Sequence, residues 1–318
     1  MNYVLEDSNI NSWREQGYMV LKNVLENSLV NSCTEILENR YNRRDEACED
    51  FGSSGEFEFP CGNVLDNVPI HENLIDIVKT LLNCNEILLV QADSWSKKGR
   101  EGVSGEQQNT DQRMHMDYGN NTFLHCGEWK NPEAVAAIIY FSDIEKTGGG
   151  TAIVPRQGDN DPMYETPYVR MPGLRDYKFI NDRTKAEEYF KEVDYESYKF
   201  RNILYERERM IEVKVGDILF YRLDVWHRGT PVKIGETRNV MNLLWRNKKC
   251  DWIGTWNPGW SRKAYYGFLE KLFSEISPKQ RAILGVPLPG DKYWTQQTIF
   301  FLQARYPKLD TRPYISKL

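Results

Sequence analysis

Two histidines, one aspartate and one arginine stand at spacings that suit redox metal chemistry. The chain has 318 residues and only four histidines. In a strand, residues i and i+2 project to the same side, so His115-Met116-Asp117 aims an imidazole and a carboxylate at one point. His227, arriving from a distant strand, would complete a face of two imidazoles and one carboxylate. Such a set leaves the opposite coordination positions open, an arrangement that suits Fe(II) activating dioxygen. Arg238 follows on what reads as the next strand, and a guanidinium fork can grip a carboxylate at two points. A metal with open positions beside a carboxylate clamp points to a keto-acid cosubstrate.

The surrounding segments read as elements able to position these groups. Gly216-Asp217 is a tight turn, Ile218 to Tyr221 a strand, and His227 follows a short break. Thr237 to Arg246 alternates as a strand with Arg238, Val240 and Asn242 on one face. A core strand begins after Glu86 with Ile87 to Ala92, and Ala134 to Phe141 is a second buried strand. The hydrophilic run Lys97 to Thr110 is expected as a loop at the cavity mouth. Gly148 to Gly150 is expected to make a hairpin turn, since no phosphate-loop spacing or following Lys-Ser/Thr is present. Residues 8–40 read as helix, short strand and a second helix capped at Asn27-Ser28, and residues 42–63 as a surface loop. Ile70 to Leu82 has helical spacing, with His71 a capping or exposed residue at its start. Beyond Arg246 a bend through Trp252, Trp256 and Trp260 leads into helices, one starting at Ser277-Pro278 and stopping at Gly285.

No Pro- or Ser-rich linker divides the chain, so residues 1–318 are expected to form a single domain. It comprises an N-terminal helical region (1–85), a strand-rich core (86–246) and a C-terminal helical region (247–318). The insertion 156–210, helical from Lys185 to about Arg209, is long enough to be functional and is expected to act as a lid. Antiparallel strands closing around a cavity predict a mainly β fold with flanking helices, its core a double-stranded β-helix or jelly-roll.

A net charge of -5 gives no bulk attraction for nucleic acid, and none is expected as a partner. The N-terminus is polar and acidic, so no signal peptide is expected, and the longest apolar run, Ala134 to Phe141, is too short to span a bilayer. Cys33, Cys48, Cys61, Cys84, Cys126 and Cys250 show no Cys-x-x-Cys pairing, so reduced thiols are expected. Ser316-Lys317-Leu318 reads as a peroxisomal import address. In a eukaryote this predicts the peroxisomal import receptor as a partner; otherwise a cytoplasmic location is expected.

These segments together carry a family likeness. From Trp13-Arg14-Glu15-Gln16-Gly17-Tyr18, through His115-Met116-Asp117 and Asp143 to Pro155, to Gly216-Asp217, His227 and Arg238, the chain resembles the phytanoyl-CoA dioxygenase-like Fe(II)/2-oxoglutarate oxygenases. The resemblance implies that His115, Asp117 and His227 are the iron ligands and that Arg238 binds the distal carboxylate of 2-oxoglutarate. It implies Fe(II), 2-oxoglutarate and O2 as cofactor and cosubstrates, with ascorbate in support. Family members often carry a hydroxyl residue two places after the second histidine. Here that place is Gly229, and Thr230 is the candidate to take over the role. Halogenating relatives replace the carboxylate ligand with a small residue; Asp117 keeps the position filled.

The expected reaction is oxidation of an unactivated C–H bond, giving hydroxylation or oxidative ring closure according to how the substrate is held. Arg113, two residues before His115, is expected on the same face. It either receives a substrate carboxylate or joins a structural ion pair. Asn242 and Gln91 are further substrate candidates, and His125 is expected to be structural. The favoured substrate is a small carboxylate-bearing molecule. Kainoid-type cyclisation of an N-prenyl amino acid is one example, suggested by overall resemblance to kainoid synthases rather than by a motif. A peroxisomal acyl-CoA 2-hydroxylase is the alternative within the family. A non-catalytic jelly-roll binding module, or a hydrolytic zinc site, is the alternative outside it.

Overall fold

Alternation along the buried strands decides which side of the protein becomes the site. The computed structural model describes residues 3–41, 59, 62–99, 111–124, 129–165, 179–254, 268–283 and 286–318. The elements begin with α1 (Asp7–Gln16), β1 (Tyr18–Leu21), α2 (Asn27–Tyr41), α3 (Glu72–Leu82) and β2 (Ile87–Lys98). They continue with α4 (Tyr118–Asn121), β3 (Ala134–Tyr140), α5 (Ile144–Thr147), β4 (Thr151–Ile153), α6 (Arg183–Val193) and α7 (Tyr195–Arg207). Then come β5 (Arg209–Met210), β6 (Ile218–Tyr221), β7 (His227–Gly229) and β8 (Thr237–Asn247). Helices Phe268–Glu275, Pro278–Ile283, Gln296–Arg305 and Arg312–Ile315 follow.

Five strands form a sheet in the order β1-β6-β3-β8-β2, and three form a second in the order β5-β4-β7. Every described pairing within them is antiparallel. β3 is buried at all its positions, so both faces of the large sheet must be covered. Val135, Ala137, Ile139, Phe220, Met241 and Trp245 pack with Trp13, Leu74, Ile77 and Leu81, which places α1 and α3 over one face. Ala136, Ile138, Tyr140, Leu219, Tyr221, Val240 and Leu244 face the other way and pack with Met114, Ile153, Val225 and Trp226. The sheet-rich core with flanking helices thus matches expectation. His71 caps α3, its Nδ1 accepting from the Asn73 backbone N–H at 3.3 Å.

Three local expectations are corrected. β2 does not stop near Ala92 but continues to Lys98, so Lys97 belongs to a strand and is buried. The glycines make no hairpin, because β3 and β4 lie in different sheets. Gly148 instead ends the short helix α5, and Gly149 follows it with φ 74°, a left-handed conformation that glycine adopts without a Cβ clash. His115 and Asp117 do not lie on one regular strand. His115 makes an isolated antiparallel bridge to His227, whereas Asp117 is already helical at the start of α4, with φ -75° and ψ -19°.

The described part of the insertion packs against the segment carrying His115. Arg201, fully buried on α7, donates through Nη1 to the Met114 carbonyl at 2.9 Å and through Nε to both Glu187 carboxylate oxygens. The Tyr205 hydroxyl accepts from the Met114 backbone N–H at 3.0 Å and donates to Glu187. Arg228, next to His227, forks onto Glu208 at 2.7 Å and also reaches Asp111. Residues 166–178 of the insertion, most of the 42–63 and 97–110 loops, His125, Cys48, Cys61, Cys126, Trp256, Trp260 and Gly285 lie outside the described residues. Among the described residues no disulfide forms, and no helix is long and apolar enough to cross a membrane.

Removing Arg201 should strand the Glu187 carboxylate and release the Met114 carbonyl. Arg201→Met is expected to lower stability by about 3–5 kcal/mol, the usual cost of breaking a buried ion pair by deleting one partner. Urea unfolding measures this, and an unchanged midpoint would show that the insertion does not brace the His115 segment.

Candidate metal centre

Backbone pairing brings the two histidines together before any side chain acts. The His115 N–H donates to the His227 carbonyl at 3.0 Å, and the His227 N–H returns the bond at 2.9 Å. Directly opposed residues of an antiparallel pair project to the same side, and the ring centroids lie 4.5 Å apart. The helical turn at Asp117 then swings its carboxylate between the rings. Oδ1 lies 3.8 Å from His115 Nε2, and Oδ2 lies 3.5 Å from His227 Nε2. One ligand atom from each of the three residues falls within 4.8 Å of the others.

The hydrogen bonds behind this cluster turn Nε2 of each ring inward. His115 Nδ1 is 3.0 Å from the Arg113 carbonyl, and His227 Nδ1 is 3.0 Å from the Val225 carbonyl. A carbonyl only accepts, so each Nδ1 carries the proton and each Nε2 presents its lone pair inward. Burial, followed by the neighbouring His227, holds the His115 pKa well below its usual range, so the ring is a neutral donor. The Tyr221 hydroxyl donates to Asp117 Oδ2 at 2.7 Å and fixes the carboxylate plane. Burial, then the charge of Asp117, raises the Tyr221 pKa far above normal, which keeps that proton in place. Two imidazoles with Nε2 turned inward and an oriented carboxylate are the donor set that a divalent iron requires.

These ligands open onto a cavity of about 60 Å³ lined also by Trp95, Lys97, Gln112, Ile138, Thr151, Tyr221, Gly229, Arg238 and Asn242. Grooves of about 1040 and 820 Å³ lie elsewhere and include none of the three ligands. Donor chemistry, rather than size, therefore locates the site. Arg238 is 5% exposed, and its Nη1 donates to the Gly149 carbonyl at 3.0 Å. A Cβ at Gly149 would stand 3.0 Å from Arg238 Cδ, so the glycine admits the arginine stem. Among the described residues no carboxylate meets this guanidinium, and its Nε lacks a hydrogen-bond partner. Burial pushes its pKa down to about 10, still a cation at neutral pH. A buried cation of this kind fits an anionic ligand.

Not every candidate from the sequence reaches this cavity. Asn242 and Arg238 line it; Arg113, Thr230 and Gln91 do not. Arg113 is fully buried, and residues 112–116 do not form a regular strand, so period-two alternation does not bring it to the cavity with His115. The Thr230 hydroxyl donates to the Gly150 carbonyl at 2.9 Å. Gln91 donates to Asp93 at 2.7 Å. No described residue of the 156–210 insertion lines the cavity. Lys97, Gln112 and Tyr221 escaped the sequence reading. The alternation Asp93, Trp95, Lys97 against Ala92, Ser94, Ser96 was a usable signal for Lys97. Lys97 and Arg238 are direct cross-strand partners. A Cβ at Gly229 would lie 2.8 Å from Gln112 Oε1 and 2.9 Å from Lys97 Nζ, so those two groups fill the space of a side chain there.

A family profile described as phytanoyl-CoA dioxygenase (PhyH) matches residues 13–240. The chain belongs to that family. This PhyH-family protein is an Fe(II)/2-oxoglutarate-dependent dioxygenase-type enzyme, and its His-Asp-His group fits the iron. Among solved structures it is similar to the non-heme alpha ketoglutarate dependent carbocyclase SnoK from nogalamycin biosynthesis. That match has 16% identity and a TM-score of 0.54, over 90% of this chain and 94% of that one. HygX from Streptomyces hygroscopicus with nickel and 2-oxoglutarate bound gives 16% identity and a TM-score of 0.49, over 77% and 88%. EctD from S. alaskensis gives 13% and 0.49, over 76% and 77%. No curated protein matches the chain.

Tyr221→Phe removes one hydrogen bond from Asp117 and leaves the ring in place. Metal affinity is expected to fall about 10- to 100-fold, the range for losing a group that orients a ligand. Titration of metal-free protein with Fe(II) under argon reads this directly. Wild-type affinity in the variant would show that Asp117 is held by other contacts.

Proposed function

We propose that this PhyH-family enzyme holds Fe(II) with His115, Asp117 and His227, anchors 2-oxoglutarate with Arg238 and Lys97, and oxidises an unactivated C–H bond of a small molecule. The observation that carries this reading is the convergence of three ligand atoms within 4.8 Å beside a buried arginine that meets no carboxylate among the described residues. We also infer that the five- and three-stranded sheets are the two halves of a double-stranded β-helix, a reading supported by the antiparallel pairings and by family membership.

Bound iron would supply activation of dioxygen coupled to oxidative decarboxylation of the keto acid. The protein's own groups supply geometry and charge. Nδ1–H donation to backbone carbonyls holds both imidazoles in the tautomer that offers Nε2, and Tyr221 orients Asp117. Arg238 and Lys97 lie side by side across β8 and β2, and two like charges so close are stabilised by an anion between them. Lys97, filling the space over Gly229, takes the part expected of Thr230. Trp95 and Ile138 give the cavity apolar walls against which a C–H bond can be held.

Hydroxylation and oxidative ring closure, including a kainoid-type cyclisation, both belong to this chemistry, and substrate placement selects between them. The carboxylate-bearing substrate loses its residue-level support, because Arg113 does not line the cavity. A complete ligand set favours an enzyme over a non-catalytic binding module.

Anaerobic loading with Fe(II) and 2-oxoglutarate, then exposure to oxygen, should release succinate. His115→Ala or His227→Ala is expected to abolish both metal retention and succinate release in a folded protein. Arg238→Ala should weaken 2-oxoglutarate binding by about 2–5 kcal/mol, as expected when a buried charged pair loses one member. Lys97→Met should weaken it as well, by a smaller amount. Unchanged affinity in both variants would remove the anion site from this end of the cavity.

A further inference from the structure

The inward face of the large sheet is polar at two places, and they differ in sign. Along β2 and β8 the cross-strand pairs are Lys97 with Arg238, Trp95 with Val240, and Asp93 with Asn242. Trp95, Lys97, Arg238 and Asn242 line the cavity, and Asp93, the direct cross-strand partner of Asn242, stands beside that lining without being part of it. Four residues of strand separate the cationic pair from the Asp93–Asn242 pair, roughly 13 Å. Asn242 Oδ1 is buried and has no hydrogen-bond partner. Gln91 Nε2 donates to Asp93 Oδ2 at 2.7 Å, which steadies the carboxylate. Leaving an acceptor buried without a donor is unfavourable, and such an atom in a cavity marks the place of a ligand group.

We propose that the Asp93–Asn242 end receives the primary substrate through a hydrogen-bond donor, a hydroxyl or an ammonium group. This rests on the preceding assignment of the metal centre and of the cationic end to 2-oxoglutarate. The amide oxygen and the carboxylate oxygens accept, and an ionised carboxylate cannot donate. A substrate carboxylate placed here would meet like charge at Asp93. The donor anchors one end of the molecule, and Trp95 and Ile138 hold its hydrocarbon part toward the three metal ligands. The substrate class is therefore a small alcohol or amine rather than a simple carboxylic acid.

The test uses the enzyme loaded anaerobically with Fe(II) and 2-oxoglutarate, whose chelate absorbs visible light. Probes are small cyclic and open-chain alcohols and primary amines. Each is set against the methyl ether and the carboxylic acid of the same skeleton. Donor-bearing probes should perturb the chelate absorption and stimulate succinate release. Their half-saturation should lie about ten- to a hundredfold below that of the ethers and acids. Asn242→Leu should collapse that preference, and Asn242→Asp, which still accepts, should keep it. Asp93→Asn should remove any preference for amine over alcohol; it also serves if Asn242→Leu does not fold. Acids binding as well as alcohols and amines, no response to any donor-bearing probe, or a preference untouched by both substitutions would overturn the proposal. Absence of the chelate absorption in the unaltered enzyme would instead sink the metal-centre assignment.

Discussion

The reciprocal backbone bonds between His115 and His227 set the geometry on which the rest of the site depends. They join a segment outside any regular strand to β7 of the small sheet, so the ligand spacing belongs to the main chain. Two further contacts lock the same junction: the Gln112 N–H donates to the Gly229 carbonyl at 3.0 Å, and the Gly229 N–H donates to Gln112 Oε1 at 2.7 Å. Asp117 then needs only one helical turn and one hydrogen bond from Tyr221 on β6. The small sheet and the bridged segment supply the ligands, and the large sheet supplies the hydroxyl that orients one of them. Packing the two sheets together is therefore the same event as assembling the metal centre.

Buried charge is handled in two ways within this small volume. Arg201 is matched by Glu187, Arg228 by Glu208 and Asp111, and Arg222 by Asp224. Each of these pairs joins segments separated in the fold or stiffens a turn. Arg238 is treated differently, since among the described residues its Nη1 meets a backbone carbonyl and its Nε meets no partner. A guanidinium kept dry without an anion is unfavourable in isolation, and the surrounding sheet must hold it in place.

Much of this was readable in the residues themselves. The alternation Arg238, Val240, Asn242 survives as β8, and Gly216-Asp217 does turn into β6. His115, Asp117, His227, Arg238 and Asn242 were each readable from residue type and spacing, and all five line one cavity. The failures share a cause. Period-two reasoning holds only along a regular strand; residues 112–116 form none and Asp117 turns helical, so Arg113 is buried without lining the cavity. Hydrophilicity misled in the opposite direction at Lys97: a charged residue read as loop is a strand residue 4% exposed, because the cavity gives its ammonium a polar destination. Tyr221 gave no signal of its own; its role follows from a tertiary contact 104 positions away.

Gly229 carries a consequence for how such a site can change over generations. Its missing side chain and the reach of Lys97 and Gln112 are complementary shapes, since the ends of both side chains stand within 3 Å of where a Cβ would be. A lineage cannot add a hydroxyl-bearing residue at 229 while Lys97 and Gln112 stay where they are; the two solutions compete for one volume. Drift between them must move the ends of both side chains, Gln112 Oε1 and Lys97 Nζ, out of that volume. The three positions therefore form a single inherited character, and reading any one of them alone in a relative would misjudge how that volume is filled.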